Sequence, residues 1–480
     1  MFRLTFILLF ITNKTGNYND LFYALWIGLR FDMRLACFIL IPIVIAFLIP
    51  IYNPLNQSFF RLLSKIYLKM SILIIILLYG FDLGNYSYLD QRIDISSLKL
   101  LENPLIAFGM AWESYPMVII LFILFIVVYF VWSNIDKTFT ILTNRPKVFN
   151  FSQSIIGSTI SGFIFIFAIW GTFRQYRLLW SDAHFSNDPF IVASAINPIL
   201  YLNETRSFAL EEFNEEKTRS NYDLMVKELN ITIPNSKALS FTRSISKRHI
   251  KDQPNIVVIF LESVGYNRMS RSGNPLNPTP NLDELSKNSI FFDRFYIPMV
   301  GTARSVFGLI TGIHDVASVE TASSNPRIVD QYSSINALDN YEKYYIMGGS
   351  ASWRNVRSLL KNNIPDINII EQDQIDYPRL DVWGISDNNL FKVAQETFEN
   401  SNSSNPFFAI IQTATNHRPY SLPDDVDGFN IINVDKSILS GAGFDSQKQY
   451  NAMRMLDHTV GEFITFAKSS SYFEFLTLLV

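Results

Sequence analysis

The sequence contains a single cysteine in 480 residues, Cys37, and that cysteine lies inside an apolar run. No disulfide can form within this chain, so a part of it outside the cytoplasm must be held together by its own core. Charged residues are also scarce: they make up 17% of the chain, against about a quarter in soluble proteins. The net charge of −3 gives no indication of a nucleic-acid partner. The shortage of charge indicates a chain that is partly embedded in a membrane.

Long apolar runs are concentrated in residues 1–175. The four longer ones reach, with their flanks, the roughly 20 residues that cross a bilayer. The first run is short, and no small-residue cleavage site follows it, so we interpret it as a short membrane span rather than a signal peptide. The sequence therefore predicts an N-terminal bundle of four or five transmembrane helices. The runs are Phe2–Ile11, Leu35–Tyr52, Met70–Tyr86, Met117–Trp132 and Ile155–Phe173.

The distribution of charge between these runs predicts their orientation. Basic residues follow the second run (Arg61, Lys65, Lys69) and the fourth (Lys137, Arg145, Lys147), whereas acidic residues predominate between the third and the fourth. Basic loops stay in the cytoplasm. The fifth run then leads outward, which predicts a multi-pass protein of the inner (plasma) membrane whose remaining residues are extracytoplasmic, or periplasmic.

The rest of the chain divides into a polar linker, residues 176–250, and an α/β domain, residues 251–480. Apolar β-branched runs alternate with helical patterns in that domain, which favours a largely parallel sheet. We predict strands at Asn255–Leu261, Ser289–Tyr296, Tyr344–Met347, Phe407–Gln412 and Leu476–Val480, and helices at Leu282–Asn288, from Thr302, at Trp353–Lys361 and at Gln447–Lys468.

Three residues capable of chemistry follow strands or begin a helix in this pattern. Glu262 comes directly after a buried strand, where a carboxylate suits a divalent cation. Thr302 follows Gly301 at a helix N-terminus, which favours phosphate. His417 follows another strand and could bind phosphate or protonate a leaving oxygen. Each also has a plainer interpretation, as a loop glutamate, an N-cap threonine and a loop histidine.

Taken together, these residues resemble the lipoteichoic acid synthases and periplasmic-glucan phosphoglycerol transferases, a family whose catalytic domain has the alkaline-phosphatase/sulfatase fold. The order and spacing of several segments carry the resemblance, which covers nearly the whole chain. They are Asn255–Ser263, Thr279–Tyr296, Gly301–Gly312, Asn416–Tyr420 and Tyr450–Phe463, together with Gly-Leu-Arg-Phe-Asp at 28–32 and Asn197-Pro198.

The resemblance implies an enzyme and a division of roles. Glu262 would be a metal ligand, Thr302 both metal ligand and nucleophile, and His417 a ligand of the substrate phosphate. Trp353 and Arg354 would contact substrate, since the planar donors of arginine suit phosphate oxygens. The cofactor would be Mn²⁺ or Mg²⁺. Phosphoglycerol would pass from phosphatidylglycerol, through a covalent threonine intermediate, to an envelope glycan or a glycerol-phosphate polymer.

One departure from the family pattern concerns the C-terminus. The family has an Asp-His pair of metal ligands just after the strand that follows the long helix, and in this sequence that strand is Leu476–Val480. The resemblance therefore implies a C-terminally truncated catalytic domain that lacks two ligands. We expect weak metal binding and little or no turnover from these 480 residues.

The same residues also bear on three alternative functions. A sulfatase that depends on formylglycine needs cysteine or serine at one position of its site. This sequence has Thr302 at that position, so a sulfatase of this kind is excluded. A phosphoethanolamine transferase shares the fold and the threonine, but its soluble domain is rich in cysteine. A non-catalytic membrane sensor or scaffold that keeps the fold without the metal remains an alternative.

The charge distribution makes the topology testable. A phosphatase reporter that is active only outside the cytoplasm, fused after Lys251, is expected to be active, because the fifth apolar run leads outward. The same reporter fused after Lys147 serves as the control and is expected to be inactive. A cytoplasm-only reporter that is active after Lys251 would contradict the predicted orientation.

Overall fold

The structure is a computed structural model. It describes residues 2–11, 18–95, 97, 112, 115–144, 151–206, 214–243, 253–297, 300–316, 321–326, 328–401, 405–424 and 426–480. Of the residues used above to predict the topology, Arg145 and Lys147 lie outside this description, as do residues 207–213 and 244–250 of the predicted linker.

The N-terminal part consists of apolar helices, as the sequence predicts. Three of the described helices are long and apolar enough to cross a membrane, namely α2, α3 and α4, and a shorter apolar helix, Ile156–Trp170, lies within α5. Helix α1 is only 9 residues long, which agrees with a short first segment. The bounds are α1 Phe2–Phe10, α2 Tyr18–Leu48, α3 Ser58–Leu89, α4 Met117–Asn144 and α5 Phe151–Trp170.

Helix α2 begins well before the predicted start at Leu35, because the charged residues ahead of that position have partners. Asp32 forms an ion pair with Arg3 of α1 at 2.6 Å. Arg34 donates from Nε to the carbonyl of Ile169 at 2.7 Å, and its other nitrogens donate to the carbonyls at the end of α5 and just beyond it. Charges in an apolar helix are tolerated when they are paired in this way. The apolar run in the sequence therefore marks only part of the helix.

Arg3 also fixes how closely the first two helices approach. Its guanidinium donates to the backbone carbonyls of Gly28, Ser194 and Ile196. A Cβ atom on Gly28 would clash with the Arg3 guanidinium. A larger residue at position 28 would therefore displace the Arg3 side chain from its present contacts.

The first part of the predicted linker packs against α2. Three short helices follow α5 here: α6 Pro189–Ala195, α7 Pro198–Thr205 and α8 Glu215–Glu228. Leu178, Ile191 and Ala195 form one buried cluster with Ala24 and Ile27 of α2. The residues directly after α5 are thus part of a packed core rather than a free connector.

The C-terminal part is an α/β unit built on one sheet. Its five strands are all parallel, in the order β3-β2-β4-β1-β5, which confirms the predicted fold class. The strands are β1 Asn255–Phe260, β2 Glu342–Met347, β3 Asn368–Ile370, β4 Phe407–Gln412 and β5 Leu476–Leu479. The helices are α9 Pro280–Lys287, α10 Thr302–Thr311, α11 Val356–Asn363, α12 Asp387–Glu399, α13 Lys436–Gly441 and α14 Gln447–Ser469. The 3-10 turns are Pro50–Tyr52, Trp180–Ala183, Tyr266–Arg268, Ser270–Ser272, Ala322–Ser324, Ser334–Ala337, Trp353–Asn355, Gln372–Gln374 and Phe473–Phe475.

Helices cover both faces of the sheet. On one face, Val257 and Phe407 pack with residues of α12 and α14, such as Phe463. On the other face, Tyr345 and Phe408 pack with residues of α10 and α11. A sheet that is covered on both sides reads as nearly continuous apolar strands, which is why β1 and β4 were predictable.

Two sequence predictions differ from the structure. Ser289–Tyr296 is not a strand: it has no paired neighbour among the described residues, and Ile290 is 86% exposed. Its apolar alternation is that of a strand, but β pairing also needs a partner. Strand β3 was not predicted, since a strand of 3 residues gives almost no periodic signal. Helix α12 was not predicted either.

A buried carboxylate joins α9 to α14. Asp457 of α14 accepts hydrogen bonds from the backbone N–H groups of Asn281 at 3.0 Å and Leu282 at 2.8 Å, in the first turn of α9. The Asn281 side chain donates to it as well, at 2.9 Å. These contacts satisfy helix N–H groups that have no partner within α9. The helices approach so closely that a Cβ on Gly461 would lie 2.6 Å from Asn281.

Replacing Asp457 by alanine is therefore expected to destabilise the α/β unit by about 3 kcal/mol, because buried N–H groups lose a charged acceptor. The measurement is the thermal unfolding of the full chain in detergent, followed by near-ultraviolet circular dichroism. Glu462→Ala, at an exposed position of the same helix, is the matched control and is expected to unfold like the parent. Equal unfolding temperatures for both variants would contradict the prediction.

Candidate functional site

Glu262 lies just beyond the carboxyl end of β1 and is only 8% exposed. Its backbone N–H donates to the Thr413 hydroxyl at 2.9 Å, and the Ser263 hydroxyl donates to its Oε1 at 2.7 Å. The carboxylate is thus held in one orientation at the edge of the sheet. Its negative charge also reaches Tyr345 beneath it: burial raises the pKa of that phenol, and the charge of Glu262 adds to the rise.

Thr302 is the first residue of α10 and lies against this carboxylate. The Thr302 hydroxyl donates to Oε2 of Glu262 at 2.8 Å. Gly301, before it, has φ 108°, a backbone conformation that glycine adopts without strain. Ala303, Val306 and Phe307 are buried, so packing fixes the helix and with it the position of the hydroxyl. The free N–H groups of a first helical turn favour an anion at this point.

The segment after β4 closes the site from the other side. The side-chain amide of Asn416 donates to the carbonyls of Glu262 at 3.1 Å and Ser263 at 3.2 Å. Behind it, buried Asp387 accepts from the backbone N–H groups of Ala414 at 2.8 Å and Thr415 at 3.0 Å. Burial raises the pKa of Asp387 to about 6, while these hydrogen bonds oppose the rise and Glu262 adds slightly to it. Asp387 therefore positions the loop that carries His417.

His417 lies in an aromatic setting. Its ring centroid is 4.3 Å from that of Trp383, and Trp383 makes an edge contact with Trp353 at 6.1 Å. The Nδ1 atom of His417 lies 2.9 Å from the carbonyl oxygen of Arg418. If Nδ1 carries the proton and donates to that carbonyl, Nε2 is left as an acceptor. The ring can then serve a bound anion only after it takes up a proton.

Four of the five residues singled out in the sequence line one cleft: Glu262, Thr302, Trp353 and His417. Arg354 does not line it; its side chain is exposed, and its carbonyl accepts a hydrogen bond from Ser323 at 2.8 Å. The chemical roles of all five stay predictions. Sequence reasoning missed other residues of the cleft, namely Tyr176, Ser350, Trp383, Gln412 and Thr413. Of these, Trp383 was detectable as an aromatic residue beside a loop glycine, Gly384.

The side chains of the cleft offer few ligands for the expected divalent cation. Among the described residues there is no group of three or more His, Cys, Asp or Glu side chains that could hold an ion. Glu262 and Thr302 nevertheless offer two oxygen donors 2.8 Å apart. Mg²⁺ is often bound by one or two protein oxygens, with water and substrate phosphate completing its shell. These two residues would therefore hold such a cation.

Comparison with known proteins decides the nature of the α/β unit. Residues 254–475 match the family model described as Sulfatase. The α/β unit is therefore a sulfatase-like domain. The fold predicted from the resemblance is thereby confirmed. The match begins one residue before β1 and contains Glu262, Thr302 and His417.

Individual relatives are more distant or match over a shorter stretch. Human arylsulfatase A is 41% identical over 59 residues, which are 12% of this chain and 12% of that protein. A protein of the alkaline phosphatase superfamily from Vibrio parahaemolyticus is 22% identical, with a TM-score of 0.44, and the alignment covers 56% of this chain and 62% of the other. A lipoteichoic acid synthase from Listeria monocytogenes is 19% identical, with a TM-score of 0.41, over 47% of this chain and 55% of the other.

Metal binding at the cleft is directly testable. Glu262→Ala is expected to weaken binding of Mn²⁺ about tenfold or more, because an anionic oxygen ligand is lost. Binding is measured by the electron paramagnetic resonance signal of free Mn²⁺ during titration of a detergent-solubilised version of the protein that also carries the Asp-His pair of the family pattern. Glu284→Ala, at an exposed position of α9, is the control. If the two variants bind Mn²⁺ with equal affinity, Glu262 is not a ligand.

Proposed function

We propose that this protein is a membrane-anchored phosphoglycerol transferase that uses Thr302 as its nucleophile. The observation that carries the proposal is the 2.8 Å hydrogen bond from the Thr302 hydroxyl to the Glu262 carboxylate at a helix N-terminus. A threonine that merely capped a helix would direct its oxygen to backbone N–H groups of the first turn. Here the hydroxyl is directed instead towards a buried carboxylate in a cleft.

The surroundings of Thr302 suit attack on a phosphate. A threonine hydroxyl is a weak nucleophile until a base, a metal or both draw away its proton. Glu262 already accepts that proton's hydrogen bond, and its own orientation is fixed by Ser263 and Thr413. A divalent cation, Mn²⁺ or Mg²⁺, held by Glu262 and Thr302 would favour ionisation of the hydroxyl. The N-terminus of α10 would stabilise the negative charge of the phosphoryl oxygens.

The proposed reaction has two displacements at phosphorus. In the first, a bond forms between Thr302 Oγ1 and the phosphorus of phosphatidylglycerol, and the bond from phosphorus to the diacylglycerol oxygen breaks. That oxygen takes a proton from His417 or from a water molecule, and diacylglycerol leaves. In the second, a hydroxyl of an envelope glycan or of a glycerol-phosphate polymer forms a bond to the phosphorus and passes its proton to His417 or to a water molecule, while the bond from phosphorus to Thr302 Oγ1 breaks. Thr302 Oγ1 takes back the proton that Glu262 accepted in the first displacement, which restores the enzyme.

The membrane helices give this reaction a physical setting. Phosphatidylglycerol is a lipid, and the diacylglycerol released from it is apolar and can stay in the bilayer. A catalytic domain carried on these apolar helices, of which three among the described residues are long enough to span a bilayer, stays at the bilayer surface, where donor concentration is high. An outward orientation would place the acceptor glycan on the same side. Anchorage therefore supports a lipid donor over a soluble one.

The covalent intermediate is the sharpest test. Incubation of a detergent-solubilised version of the protein that also carries the Asp-His pair of the family pattern, with phosphatidylglycerol and Mn²⁺ but without acceptor, is expected to add a phosphoglyceryl group to Thr302. Intact-protein and peptide mass spectrometry detect and locate it. Thr302→Ala is expected to lose both the adduct and transfer, whereas Thr302→Ser keeps a hydroxyl and should retain part of both.

Thr311→Ala is the matched control, because Thr311 lies in the last turn of the same helix and its hydroxyl donates to the Phe307 carbonyl at 2.8 Å. An adduct on another residue, or transfer by Thr302→Ala, would refute the mechanism. Incubation with phosphatidylethanolamine separates the rival donor, because the phosphoethanolamine adduct has a different mass. A protein that gives no adduct with either lipid and transfers nothing would favour the sensor or scaffold alternative.

A further inference from the structure

A second cavity lies between the membrane-spanning part and the sulfatase domain. It has a volume of about 570 Å³, which is within the range of small-molecule sites. Helix α2 contributes Tyr23, Ile27 and Arg30, which share one helical face. The sulfatase domain contributes Tyr344 of β2, Arg357 and Lys361 of α11, and the residues of β3. We call this space the junction cavity.

The junction cavity adjoins the cleft that holds Thr302. Tyr176 and Ser350 line both spaces. Ser350 lies just after β2, and Tyr176 lies in the segment that leads from α5 into the sulfatase domain. A molecule in the junction cavity would therefore be next to the candidate catalytic cleft and next to a membrane helix at the same time.

Charge in the junction cavity is weighted towards the positive. Two of its cations are paired with carboxylates: Arg174 with Asp373 at 2.8 Å, and Arg357 with Glu371 at 2.6 Å. The remaining carboxylate accepts hydrogen bonds from a backbone N–H and from a serine hydroxyl. Among the described residues, the other two cations, Arg30 and Lys361, form no ion pair with a carboxylate. The basic lining residues are Arg30, Arg174, Arg357 and Lys361, and the acidic ones are Asp182, Glu371 and Asp373.

The two remaining cations are held in place by backbone carbonyls. Arg30 donates from Nε to the carbonyl of Gly171 at 2.6 Å, and Lys361 donates from Nζ to the carbonyl of Ile367 at 2.7 Å. Each contact uses only one of several donors on the side chain. Both cations are thus preorganised at the wall of the cavity with hydrogen-bonding capacity to spare.

We propose that the junction cavity is a binding site for a phosphate ester carried on a polyol, with Arg30 and Lys361 recognising the phosphate. Guanidinium groups match the geometry of phosphate oxygens. The hydroxyl and amide side chains of Tyr23, Ser352 and Asn368 suit a polyol. The phosphate ester is either the headgroup of a phospholipid or a soluble molecule. That the site serves as a substrate subsite for transfer rests on the proposed function; the binding itself does not.

The test localises binding in the full chain in detergent, in the Thr302→Ala background so that no covalent chemistry occurs. Glycerol 3-phosphate is titrated, and hydrogen exchange is followed by mass spectrometry. Protection is expected in peptides covering residues 174–182 and 368–374. In Arg30→Gln and Lys361→Gln, half-maximal protection should need about tenfold more ligand, because each loses a charged hydrogen bond to phosphate. Arg177→Gln and Lys436→Gln, whose side chains are exposed and do not line the cavity, should behave like the parent.

Nanodiscs distinguish the two possible sources of the ester, a phospholipid headgroup and a soluble molecule. Protection by phosphatidylglycerol nanodiscs, absent with phosphatidylcholine nanodiscs, assigns the site to a lipid headgroup, and protection by glycerol 3-phosphate alone assigns it to a soluble ester. No protection with either, or equal titrations in parent and both cavity variants, overturns the proposal. The two proposals fail separately. Protection of the cavity without an adduct on Thr302 refutes the transferase alone, and an adduct without protection refutes the cavity site alone.

Discussion

The site depends on the parallel pairing of β1 with β4. Their register sets Phe260 opposite Gln412, so the two strands end at the same level and the loops that follow them meet. The hydrogen bond from the backbone of Glu262 to Thr413 joins the two ends. Asn416 then crosses back to the carbonyls of Glu262 and Ser263. A shift of one residue in this pairing would turn the side chains of β1 to the opposite face and separate the carboxylate from the histidine loop.

Much of this arrangement could be predicted from the sequence, for a physical reason. Strands that are buried on both faces consist of continuous runs of apolar residues. The polar residue after each run marks the carboxyl edge of the sheet, where ligands bind. Glu262 and His417 were found in this way, and Thr302 from the glycine before a helix. The contacts made by residues far apart in the sequence could not be found. Asp387, which holds the His417 loop, lies at the start of a helix, and Trp383, which packs on the histidine, lies in a loop, and neither local pattern indicates a contact with the segment around His417.

The membrane part shows the same limit from the other side. Hydropathy located the apolar helices, but it placed the start of α2 after its charged residues, at Leu35, whereas the helix begins at Tyr18. Arg3, Asp32 and Arg34 lie within helices because each has a partner elsewhere in the fold. Those partners lie on α1, α2, the end of α5 and the segment between α5 and α7. The charges therefore connect the first helices to the segment that follows α5, and Leu178, which accepts a hydrogen bond from Arg34, also lines the junction cavity.

The position of Arg3 has a consequence for how the protein is made. Its guanidinium is buried and donates to the carbonyls of Ser194 and Ile196, which are synthesised long after α1. Until that stretch has been synthesised, two of the acceptors for the Arg3 side chain do not exist. Asp32 and Gly28 of α2 are available earlier, but the full set of contacts around Arg3 needs residues that follow all five apolar helices. The packing of α1 is therefore completed only after those helices have been made, shortly before synthesis of the sulfatase-like domain begins.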